Sequence, residues 1–165
     1  MDYETLPKAI FSPDRIYRYM LTRQWDNTKS YVAFVGVNPS TADENLDDPT
    51  IRRCMGFAKA WGMGGIIMVN LFAFRATDPK DMKNSIDPIG PENNHYLMET
   101  IKHANVIVAA WGNHGKFKSR DSIVKKMLKT QELAGYIQLR CLELSKDGNP
   151  KHPLYLKKDL IPISF

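Results

Sequence analysis

Residues 31–37 read Tyr31-Val32-Ala33-Phe34-Val35-Gly36-Val37, and residues 38–43 read Asn38-Pro39-Ser40-Thr41-Ala42-Asp43. The first run is continuously apolar, short and rich in β-branched residues, the pattern of a strand buried on both faces. The second is a string of loop formers. Asp48-Pro49 then offers a helix start, with Thr50 to Trp61 as the helix and Gly62 as its stop. Buried strand, polar loop, helix is the unit of a parallel sheet.

Working outward, the unit repeats. Ile66-Ile67-Met68-Val69-Asn70-Leu71 is a second buried strand, followed by a polar loop from Ala76 to Pro91 and a helix over Glu92 to His103. Val106-Ile107-Val108-Ala109-Ala110-Trp111 is a third, ended by Gly112. A basic helix near Ser119 to Thr130 carries Ile123, Val124, Met127 and Leu128 as one apolar stripe. A weaker fourth strand near Tyr136 to Leu142 precedes a loop from Ser145 to Pro153. Before all of these, Ala9-Ile10-Phe11, Ser12-Pro13-Asp14 and the alternating run Arg15 to Arg23 suggest an N-terminal β-hairpin. Strands alternating with helices predict an α/β fold in three layers, α/β/α, with a central, mostly parallel four-stranded sheet joined by right-handed crossovers.

The bulk numbers fit that reading. The chain has 165 residues, 43% hydrophobic and 25% charged, the composition of one globular domain. No apolar run is long enough to span a bilayer, and MDYETLPKAIF has no signal-peptide pattern, so the expected location is the cytoplasm without membrane contact. Cys54 and Cys141 are too few for a disulfide framework or a four-thiolate cluster. His95 and His103 share a helix with no partner at metal spacing, so neither metal nor other cofactor is expected. Gly62-Met63-Gly64-Gly65 precedes a strand and is no dinucleotide fingerprint. The net charge of +5 favours a polyanionic partner modestly.

Ligands of open α/β sheets bind outside the carboxyl ends of the strands. Here those ends carry Asn38, Asn70, Asn113 and His114, with His152 in the loop after the last strand. Several polar side chains on one sheet edge point to a ligand site. Each also has a plainer reading. Asn38 can tie its own loop, His152 can cap a turn before Pro153, and His114 in Asn-His-Gly suits a turn as well as a ligand. Asp48-Pro49-Thr50 reads first as a helix start, with Arg52 and Arg53 placed to meet a phosphate at its N-terminal turn.

The stretches VNPSTADENLDDPTIRRC, VNLFAFRATDP, GPENN, AAWGNHG and GNPKHPLYL resemble domain of unknown function family 1643, which supplies no activity. More distantly, the order of motifs is similar to the uracil-DNA glycosylase superfamily. Gly36-Val37-Asn38-Pro39 resembles its first motif, and Met68 to Ala76 its base-reading strand. Ala109-Ala110-Trp111-Gly112 resembles its third strand end, and His152-Pro153-Leu154-Tyr155-Leu156 its second catalytic motif. The pattern departs at Leu154, where a small polar residue is usual, and at Ser40 to Asp43, which lack the base-stacking aromatic.

That resemblance implies a nucleobase N-glycosylase-like enzyme acting on a base, modified or not, in DNA or a nucleotide. His152 would stabilise the departing base, Asn70 would read its edge, Asn38 would hold the attacking water and Asp43 would activate it. Gly36, Pro39, Ser40, Phe72, Arg75, Trp111, Gly112, Asn113, His114 and Tyr155 would line the substrate. Tyr155 or Leu156 would fill the space of a flipped base. The acidic run Asp43, Glu44, Asp47 and Asp48 would repel a phosphate backbone. The alternatives are a non-catalytic nucleotide or modified-base binding module on the same fold, and an interaction protein that docks an acidic partner on Lys116 to Lys129.

Overall fold

The computed structural model describes residues 2–165. Its strands are β1 (Ala9–Phe11), β2 (Arg18–Gln24), β3 (Tyr31–Gly36), β4 (Gly65–Asn70), β5 (Val106–Ala109), β6 (Gln138–Cys141) and β7 (Ile163–Ser164). They form one sheet in the order β1-β2-β4-β3-β5-β6-β7. The pairs β4–β3, β3–β5 and β5–β6 are parallel, while β1–β2, β2–β4 and β6–β7 are antiparallel. The four expected parallel strands therefore form the centre, but the sheet has seven strands.

Two features enlarge it. The N-terminal hairpin does not stand apart, because Leu21 to Gln24 of β2 pair with Gly65 to Met68 of β4. Its second strand starts at Arg18 rather than Arg15, which has φ 61 and breaks the extended run. The C-terminal strand β7, which the apolar pattern did not signal, covers the other edge at Arg140 and Cys141.

The helices are α1 (Pro49–Ala60), α2 (Pro79–Lys83), α3 (Asn93–Thr100) and α4 (Arg120–Leu133). Asp48 caps α1 by accepting from the Ile51 N–H, and Pro49 occupies the first turn, where its missing N–H costs nothing. The stretch read as a loop from Ala76 to Pro91 contains α2, started by the same Asp-Pro pair at Asp78-Pro79.

Alternation along β3 separates two cores. Val32 and Phe34 join Ile51, Cys54 and Phe57 of α1 on one face. Tyr31, Ala33 and Val35 join Leu97 of α3 and Val124 and Leu128 of α4 on the other. Helices thus lie on both faces of the sheet. Because β3 pairs with β4 on one side and β5 on the other, the chain reverses direction across the sheet at β3. That is the position where strand ends diverge and leave a crevice. No helix among the described residues is long and apolar enough to cross a membrane.

Candidate functional site

A cleft of about 820 Å³ opens at this crevice. Val37, Asn38 and Ser40 after β3, Asp48 to Thr50 at the start of α1, and Trp111 to His114 after β5 form its walls. Lys151, His152, Leu154 and Tyr155 come from the loop after β6. At its floor is a recess of about 50 Å³, lined by Arg18, Gly36, Asn38, Pro39, Asp48, Met68, Asn70 and His152 among others. Asn38, Asn70 and His152, distant in sequence, therefore share one concavity.

Local chemistry explains each placement. Gly36 faces Asn70 across the β3–β4 ladder, and a Cβ on Gly36 would lie 2.8 Å from Asn70 Oδ1. Only a residue without a side chain leaves that amide its space. Asn70 is 2% exposed, and its Nδ2 has no acceptor among the described residues. The end of β4 is held by side chains instead of a further strand. Asn93 Nδ2 donates to the carbonyls of Asn70 (2.9 Å) and Leu71 (3.0 Å), and Arg120 Nε donates to Leu71 (2.8 Å).

Asn38 donates Nδ2 to the carbonyls of Pro39 (3.1 Å) and Ala76 (2.8 Å), so its amide nitrogen ties two loops together. What it offers a ligand is Oδ1, an acceptor suited to a water hydrogen. His152 accepts the Leu154 N–H at Nδ1 (3.3 Å), which leaves the proton of the neutral ring on Nε2. Burial pushes the His152 pKa below its ordinary value, against the opposing charge of Asp48, so the ring is neutral at pH 7 and a donor. Gly112 lies beside it at φ 66, and a Cβ there would be 3.8 Å from His152 Cβ. The Gly112 N–H holds the Pro150 carbonyl at 2.8 Å, joining the loops after β5 and β6.

Several expected residues lie elsewhere. Asp43 lines neither the cleft nor the recess. Its Oδ1 accepts the N–H groups of Asn45 and Leu46, which hold its pKa below the ordinary carboxylate range. The carboxylate that does reach the site is Asp48, whose second oxygen is left over from capping α1. Phe72 is fully buried against Phe117 and belongs to the core. Arg75 lines a shallow depression with Arg15, Ile16 and Phe74, which shares Ser40, Thr41, Ala76 and Thr77 with the cleft. Arg52 and Arg53 line a groove along α1 with Gly56, Leu154 and Lys158, which shares Pro49 and Leu154 with the cleft. Leu156 is buried in the α1-side core, so of the two wedge candidates only Tyr155, 85% exposed, stands free at the rim.

The acidic run is also largely neutralised. Arg15 binds both Glu44 oxygens (2.7 and 2.9 Å), lowering that carboxyl to about 2, and Arg23 binds Asp47 at 2.8 Å. The hairpin thus screens the loop that the sequence alone presented as repulsive. Ser40 Oγ and Thr77 Oγ1, 3.2 Å apart, close one wall. Lys83 Nζ of α2 meets His114 Nδ1 at 3.1 Å, and Asn113 Oδ1 accepts from Asn149 at 2.9 Å. Cys54 and Cys141 are buried and unpaired, and burial raises both thiols, so neither is a nucleophile. No group of three or more potential metal ligands occurs among the described residues.

A family described as "Protein of unknown function (DUF1643)" matches residues 18–154, a span that contains every side chain of the recess. The chain belongs to that family. No curated protein and no solved structure matches it.

Proposed function

We propose that this DUF1643 protein is an N-glycosylase-like enzyme acting on a nucleobase, modified or not, in DNA or a nucleotide. The supporting observation is that Asn38, Asn70 and His152 converge on one recess at the sheet's reversal point. A parallel centre with helices on both faces and a crevice at its strand ends supports the reading by giving a base a place to lie. The ring would lie in the wider cleft with one edge in the recess, since the recess holds only a few atoms.

The chemistry follows from what each group offers. Breaking the C1′–N bond sends its electron pair into the base and leaves the sugar cationic. His152 Nε2–H would donate to a base oxygen as that charge builds, which favours the transition state over the ground state. Asn38 Oδ1 would orient a water toward C1′. Asp48 replaces Asp43 as the group that takes the water proton while hydroxyl joins the sugar carbon. Tyr155 would occupy the gap left by a base turned out of a duplex.

Oligonucleotides carrying uracil, mismatched or hypermodified bases, and free nucleotides, would be incubated with the pure protein and released base measured by chromatography. Release from at least one of them is expected, and no release from any would remove the enzymatic reading. A non-catalytic base-binding module is the second reading, favoured because Asp43 stands away from the cleft. Alanine at Asn38, Asp48 and His152 separates the two: lost turnover with retained binding identifies the enzyme.

A further inference from the structure

Arg18 was not singled out by the sequence, yet it is the recess residue that most needs a partner. It is 2% exposed, and Nη1 donates to the Ala42 carbonyl at 3.1 Å. Its Nε has no acceptor, and no carboxylate lies within ion-pair distance of it among the described residues. Burial lowers its pKa to about 10, which still leaves it charged at pH 7. Buried charges are ordinarily paired, and a buried donor without an acceptor calls for an explanation. Four buried side-chain atoms lack a partner among the described residues. Two of them, Arg18 Nε and Asn70 Nδ2, belong to residues lining the same 50 Å³ recess. One ordered water needs about 10–15 Å³ of such space, so the recess admits the edge of a ring and excludes the whole of it.

Both orphaned atoms are donors, so the missing group is an acceptor, and the fixed charge makes a negative acceptor better than a neutral one. We propose that Arg18 and Asn70 form an oxyanion subsite that holds the carbonyl edge of a pyrimidine-type imide ring in its negatively charged form. This rests on reading the cleft as a base site, and it names the class of base: one with carbonyl oxygens at the inserted edge. An amino group there would meet two donors and be rejected. In the proposed reaction the charge arises as the base departs, so a pre-placed cation acts where the negative charge develops.

The surrounding charges allow this. Arg23 and Arg75 add to the positive field felt by Arg18, although Arg23 is matched by Asp47. Asp48 is the opposing charge at the recess, and one of its oxygens is committed to the Ile51 N–H. His152 is neutral there.

The test uses the full chain and two probes, uracil and 5-nitrouracil, whose nitro group brings ring N–H ionisation into mildly acidic solution, with a change in absorbance. Titration across that ionisation should show 5-nitrouracil binding tighter as it ionises, and tighter than neutral uracil, with the bound ring ionising at lower pH than the free one. Arg18→Met should weaken that binding by about tenfold or more and abolish its pH dependence. Asn70→Asp supplies Arg18 with a carboxylate from within the chain, and should exclude the anion while circular dichroism shows an intact fold. Equal binding by wild type and Arg18→Met, tighter binding of the neutral ring, or no binding of either probe would overturn the proposal. Anion binding without base release from any substrate would leave the subsite standing and remove only the catalysis. Base release undiminished in Arg18→Met would do the reverse.

Discussion

Arg18 and Arg120 are each 2% exposed, and neither has an ion-pair partner among the described residues, but their surroundings differ. Arg120 sits at the α4 N-terminus with Nε on the Leu71 carbonyl and Nη2 on Asn94 Oδ1 at 2.5 Å. Its guanidinium completes the end of β4, doing for that strand what another strand would do. Arg18 has one carbonyl, an idle Nε and an opening in front of it. The same side chain at the same burial is therefore a clamp in one place and, in the other, carries an unpartnered donor beside an open recess. Burial alone does not tell a structural polar residue from a binding one, whereas the account of donors and acceptors does.

The comparison breaks most visibly on stability. Arg120→Met leaves the Leu71 carbonyl and Asn94 short of a charged donor, and urea denaturation should show a loss of about 3 kcal/mol. Gly36→Ala should follow at about 2 kcal/mol, because its Cβ would press on Asn70 Oδ1 from 2.8 Å. It should also displace the Asn70 amide and weaken base binding, which Arg120→Met should not. Arg18→Met removes a charge that few bonds compensate, so it should change stability by no more than about 1 kcal/mol in either direction. A large loss there would make Arg18 a second clamp and erase the contrast.

The smallest expected effect is electrostatic. His152 is held neutral by burial, so its folded pKa lies below the value of about 6.5 for an unfolded histidine. Between those two values the unfolded chain binds more protons than the folded one. Stability is therefore full above about pH 6.5 and declines as pH falls toward the folded pKa. His152→Gln should remove that part of the decline, read as a flatter dependence of the urea midpoint on pH. A wild-type curve already parallel to the variant's would show that His152 is not held neutral.

What the sequence disclosed, it disclosed through continuous apolar runs. Tyr31 to Gly36, Ile66 to Leu71 and Ile107 to Trp111 are buried, and the polar residues at their ends are Asn38, Asn70, Asn113 and His114, as the sequence pattern implies. The same logic failed for Arg18. Between Ile16 and Met20 it reads as a polar member of the alternating hairpin strand, but β2 lies between β1 and β4 and is buried from Arg18 to Thr22. Which strand becomes interior depends on long-range pairing that no local period encodes. In sequence Asp48 reads as a helix cap and as a member of the acidic run, and it is a cap. Its place beside His152 in the recess depends on the loop after β6 folding back to it. Asp43, expected beside the attacking water, has its Oδ1 taken locally by the N–H groups of Asn45 and Leu46, and it lines neither the cleft nor the recess. Asn93 of the GPENN stretch and Arg120 showed no chemistry in sequence, because both serve carbonyls at the end of β4.

Single-turnover base release, measured side by side for wild type, His152→Ala and Arg120→Lys on the best oligonucleotide or nucleotide substrate, bears most directly on the catalytic reading. Wild type and Arg120→Lys should release base at similar rates, and His152→Ala should be slower by about 10²–10³-fold. Release that is unaffected by removing the imidazole, or absent from wild type on every base tried, would contradict it.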